Sequence, residues 1–199
     1  MYLISEELVL AMLSDSGFSV LDSDDDSLSK SYAAADILLS GAAKSNGVCI
    51  SPCGGASPQA LPEKFASFIE KDSTVPGALR LLEKNAGAIE SLCIKSLLGK
   101  KSIKLAKTFV FWGREVLKAV DKDAPKELRQ KICLALASTP DKCPDRIAGA
   151  IWALSRGNLA RVALSRGQLK KYRLAFSEIA ANFEKNFLIA GNAAPPLSD

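Results

Sequence analysis

Apolar residues recur at three- and four-residue spacing along almost the whole chain, and this period constrains the fold more than any other feature. Leu3–Leu13 reads as an amphipathic helix, with Leu3, Leu10 and Leu13 on one stripe and Glu6 and Glu7 off it. Residues 30–44 make an alanine-rich second helix, and Pro62–Lys71 a short third. Ser73-Thr74-Val75-Pro76 is a start signal for Ala78–Leu98, which Gly99 stops. Ser102 caps a further apolar segment, Ile103–Val120. Proline-bearing breaks at 121–125 and 141–144 open helices Lys126–Ala137 and Asp145–Arg156. Asn158 caps a short segment, and Gly167 precedes a final helix that ends at Gly191. Because no strand alternation persists, the expectation is an all-α fold, a compact globular bundle of about eight helices. It forms a single domain over residues 1–191, with an acidic loop 15–29, an irregular loop 45–61 and a flexible tail 192–199.

Chemistry is limited by what the chain lacks. None of its 199 residues is histidine, which removes Ser-His-Asp and Cys-His nucleophilic arrangements and histidine-ligated zinc. No carboxylate pair falls in a recognisable motif, so no catalytic residue is expected. Cys49 and Cys53 stand at a spacing that zinc ligands use, but Cys133 and Cys143 come from another part of the chain. Cys93 and Cys133 read as small core residues. No metal and no cofactor are expected. The first 20 residues carry Glu6, Glu7 and Asp15 and no base, the wrong charge for a secretory signal. No apolar run reaches the roughly 18–20 residues of a transmembrane anchor. With five cysteines, these features point to reduced thiols in a cytoplasmic setting.

Charge is laid out unevenly. Residues 1–40 hold eight acids against Lys30, whereas 41–199 hold 25 bases against 14 acids. From Arg146 to Ser177 there is no acid, while Arg146, Arg156, Arg161, Arg166, Lys170, Lys171 and Arg173 are all basic. Such a stretch suits either a solvated basic helix face or a track for phosphates; aromatics for stacking are confined there to Trp152, Tyr172 and Phe176.

Three short segments carry a family resemblance. Trp112-Gly113-Arg114 resembles the first homology motif of the Bcl-2 family of apoptosis regulators, which opens that family's central helix. Trp152-Ala153-Leu154-Ser155-Arg156-Gly157-Asn158 is similar to its second motif, and Ser5–Ser14 to its N-terminal homology helix. Phe111 stands where the family has asparagine, and Leu79–Lys84 and Leu82–Gly87 are partial echoes of its third motif. The resemblance implies a soluble, non-enzymatic, pro-survival protein whose surface groove receives an amphipathic BH3-type helix of a partner. Arg114 would pair with the partner's acid, Trp112 and Gly113 would shape the corner, and Leu79, Leu82, Val110 and Val116 would line the groove, with Trp152 and Gly157 in the second motif. An alternative from another class is a helical nucleic-acid-coating protein that self-assembles on single-stranded RNA through the seven bases of 146–173. A second alternative is a non-enzymatic adaptor or secretion chaperone.

Overall fold

The computed structural model describes residues 2–16, 26–53, 60–107, 115–120 and 123–189. It is predominantly helical, with two small antiparallel sheets. The elements in order are α1 (Ile4–Ser16), α2 (Asp26–Leu39), β1 (Ala43–Ser45), β2 (Cys49–Pro52), α3 (Leu61–Ala66) and β3 (Ser73–Thr74). There follow α4 (Val75–Lys84), α5 (Ala86–Gly99), β4 (Ile103–Lys107), β5 (Glu115–Ala119) and α6 (Asp123–Ala137). The C-terminal third is α7 (Asp145–Arg156), α8 (Ala160–Ala163) and α9 (Arg166–Phe183), which runs on into a π-helical segment, Glu184–Ile189.

The core is built on α7. Every residue from Ile147 to Leu154 is buried. Trp152 meets Phe183 of α9 at 5.4 Å between ring centroids, and Phe183 stacks on Phe187 at 4.7 Å. α2 packs against α7 and also against α4 and α5, so Tyr32, Ala33, Ala34, Ala35, Ile37 and Leu38 are all buried around its circumference. Gly149 is the point of closest approach: a Cβ there would lie 2.9 Å from Ile4 Cδ1 and 3.1 Å from Leu39 Cδ1. α9 starts on a capping box, in which Ser165 Oγ accepts from the Gln168 N–H at 3.3 Å and Gln168 Oε1 accepts from the Ser165 N–H at 2.9 Å.

Several expectations need correction. The fold is not purely all-α. The segment 103–120, expected as a helix, contains the antiparallel pair β4–β5 instead. The second helix ends at Leu39, and Ala43 and Lys44 belong to β1, which pairs with β2 inside the expected loop 45–61. The expected single helix 78–98 is two, broken at Asn85, whose side chain donates to the Leu81 carbonyl at 2.8 Å. Asp26–Ser29, placed in the acidic loop, begin α2, and Asp15 and Ser16 end α1. Glu6, expected on a solvent face, is fully buried.

The β1–β2 turn clamps the end of the π-helical segment. Ser45 Oγ donates to the Leu188 carbonyl at 2.6 Å, and Gly47 sits at φ +86°, where a Cβ would fall 2.3 Å from the Ile189 carbonyl oxygen. Gly47→Ala is therefore expected to cost roughly 1–3 kcal/mol, from left-handed strain and the backbone clash. A lowered midpoint in urea unfolding checks it.

Candidate functional site

The β4–β5 pair stands on a foundation of buried carboxylates. Asp36, at the end of α2, accepts from the backbone N–H groups of Ile4 and Ser5 at 2.9 and 3.0 Å, satisfying donors that the first turn of α1 leaves open. Burial pushes its carboxyl up to about 6, against the opposing pull of those hydrogen bonds. Glu6 accepts from Lys100 Nζ at 2.7 and 2.8 Å and from Ser96 Oγ at 2.6 Å, joining α1 to the end of α5. Tyr2 Oη and Ser102 Oγ lie 2.6 Å apart at the foot of β4. Lys101, at φ +57°, turns the chain from α5 into β4, and the Val120 N–H donates to the Ser102 carbonyl at 2.8 Å to close the base.

From this base β5 stays on the body, with Leu117 and Ala119 half-buried against the core beside α1, while β4 forms the outer strand. Register pairs Ile103 with Ala119, Lys104 with Lys118, Leu105 with Leu117, Ala106 with Val116 and Lys107 with Glu115. Ile103 and Leu105 share one face, since side chains alternate along a strand. Ile103 is 3% exposed and Leu105 is 59% exposed, so two residues take the strand from core to solvent. On the opposite face Lys104 and Lys118, both exposed, sit directly across from one another. Like charges so placed destabilise a sheet, so this pair is not there for stability.

The residues joining the strands are Thr108-Phe109-Val110-Phe111-Trp112-Gly113-Arg114. Trp112, Gly113, Arg114 and Val110 therefore lie outside the described residues, and so does the side chain of Val116. Glu115–Ala119 is a strand, so Trp112-Gly113-Arg114 is followed by extended chain and not by the helix that the Bcl-2 resemblance implies. Leu82 is fully buried, Leu79 is half-buried against the core, Trp152 is 1% exposed and Gly157 ends α7 as a buried C-cap. Leu82 and Trp152 thus present nothing to a partner; they are core residues, because their helices bury those faces against α2 and α9.

The seven bases of 146–173 divide in two. Arg146 pairs with Glu7 at 2.9 Å and Arg156 with Glu184 at 2.6 Å, so both serve internal contacts. Arg161, Arg166, Lys170, Lys171 and Arg173 are exposed on α8 and α9, around Leu174, which is 84% exposed. Arg166, Lys170 and Arg173 follow helical spacing and share the outward side of α9.

Thiol chemistry is muted. Cys93 is buried, and burial drives its thiol far up; Cys143 is pushed up to about 11 by burial. Among the described residues, no three His, Cys, Asp or Glu side chains come together to hold a metal ion, and no helix is long and apolar enough to cross a membrane. Sequence reasoning missed Lys104, Leu105 and Lys118; the alternation Ile103-Lys104-Leu105 was the available signal. Compared with models of known protein families and with curated proteins, the chain matches none.

Proposed function

We propose that this chain is a non-catalytic docking module that associates with the surface of an anionic bilayer through the β4–β5 hairpin. The observation that carries this reading is the gradient along β4, from buried Ile103 to exposed Leu105, on a strand that the sequence follows with Phe109, Phe111 and Trp112. Phe109, Phe111 and Trp112 are the residue types that settle at the headgroup level of a bilayer. Lys104, Lys107, Arg114 and Lys118 flank them and match a negative surface potential. The apolar groups supply binding by burial, and the cations bias it toward anionic lipid.

Co-sedimentation with vesicles tests the proposal. Binding is expected with phosphatidylcholine vesicles carrying anionic phosphatidylserine, and much weaker binding with phosphatidylcholine alone. At about 1 kcal/mol per cation near the surface, Lys104→Gln with Lys118→Gln should weaken binding roughly 30-fold. Relief of the cross-strand repulsion should leave stability unchanged or slightly raised. Equal retention on neutral and anionic vesicles, or on neither, overturns the reading.

A second reading, polyanion binding along α8 and α9, is favoured by the five exposed bases there. If single-stranded RNA is the ligand and all five contact phosphate, log K should fall against log salt with a slope of about −3.5. Arg166→Ala with Lys170→Ala should flatten that slope by about 1.4. A slope unaffected by these changes assigns the RNA binding elsewhere.

A further inference from the structure

We propose that the cleft between α1, α6 and the start of α7 binds a small anionic amphiphile, an alkyl chain ending in a carboxylate. The cleft is open to solvent, has a volume of about 600 Å³ and is lined by Glu7, Lys131, Leu134, Ser138, Pro144, Arg146 and Ile147. That volume falls in the range of small-ligand sites. It is distinct from the hairpin and does not depend on the bilayer reading.

The walls are apolar and the polar groups converge. On α6, Leu128, Ile132 and Leu136 are buried, whereas Leu134 is 64% exposed and lines the cleft. Lys131 and Leu134, at i and i+3 on α6, and Ser138 just past its end form a wall that the core does not use. Pro144 and Ile147 oppose it from the start of α7. An alkyl chain laid in the cleft removes from water chiefly the exposed apolar surface of Leu134 and Pro144.

Charge selects the headgroup. Lys131 and Arg146 outnumber Glu7, the one acid of the lining. Arg146 Nη2 contacts Glu7 at 2.9 Å and also donates to the Tyr2 carbonyl, which fixes the fork in place. A guanidinium has five donors, more than these two contacts use. Lys131 stands 3.6 Å from Glu127 with its side chain 53% exposed, a surface pair loose enough to yield to a ligand carboxylate.

Glu7 adds a proton-linked feature. Its carboxyl is raised by burial, against the pull of Arg146 and Lys131; Glu127 on α6 also raises it slightly. A ligand carboxylate entering beside Arg146 competes for that guanidinium and disfavours the ionised form of Glu7 further.

Calorimetry with dodecanoate below its micelle concentration tests the site on the full chain. Saturable 1:1 binding is expected, with dodecyltrimethylammonium at least about tenfold weaker because its headgroup carries the wrong sign. Leu134→Asp and Lys131→Ala lie on exposed positions, and each should weaken dodecanoate about tenfold while circular dichroism is unchanged. Absence of saturable binding, equal affinity for the two headgroups, or unchanged affinity in Leu134→Asp overturns the proposal. So does saturable binding of an acidic amphipathic peptide that dodecanoate fails to displace.

Discussion

Lys100→Met is expected to cost about 2–4 kcal/mol, because it strands the Glu6 carboxylate inside the protein with only Ser96 Oγ and the Leu3 N–H as partners. The figure is discounted from that of a fully buried pair because the Lys100 side chain is 41% exposed whereas Glu6 is not exposed at all. Glu6→Gln in the same background should recover part of the loss by removing the unpaired charge. Urea unfolding of the two single variants and the double variant measures the coupling. Equal losses in Lys100→Met and in the double variant would mean that the charge is not what destabilises. Since Ser96 and Lys100 immediately precede the hairpin, faster amide exchange at Ser102 and Ile103 should accompany the loss.

Asp36→Ala should cost about 2–4 kcal/mol at pH 5, where it leaves the Ile4 and Ser5 N–H groups buried without their acceptor. The carboxyl titrates at about 6 in the fold, above its ordinary 3.8, so the folded state holds the proton more tightly than the unfolded chain. The stabilising contribution is therefore complete below the ordinary value and is lost as pH rises through about 6. The cost of Asp36→Ala should shrink as pH rises from the ordinary 3.8 through about 6. Wild-type stability should decline over the same window, and Asp36→Asn should remove that decline. A rise in wild-type stability through this window that Asp36→Asn abolishes would reverse the assigned sign.

These two carboxylates show where local pattern stops carrying information. The helix of α7 was legible to the residue, since Pro144 cannot continue a helix backwards and Gly157 closes it. The burial of Glu6 was not, because only Lys100 and Ser96, some 90 residues away, make it tolerable. The segment 103–120 reads as a helix because a short apolar run fits both periods. Within the strands themselves the β-branched residues are Ile103 and Val116. The basic stretch read as one surface, yet Glu7 and Glu184, distant in sequence, withdraw Arg146 and Arg156 from it. Arg161 to Arg173 kept the exposure the sequence suggested.

The hairpin reading is tested most directly by the fluorescence of Trp112. The chain has two tryptophans, and Trp152 is buried in the core, so Trp152→Phe leaves Trp112 as the sole reporter. On titration with phosphatidylserine-containing vesicles, its emission should shift to shorter wavelength. Lipids brominated near the headgroup should quench it more than lipids brominated at the chain end, and Lys104→Gln with Lys118→Gln should move the transition to higher lipid concentration. Protein that co-sediments with these vesicles while Trp112 emission is neither shifted from its lipid-free wavelength nor quenched would contradict the account.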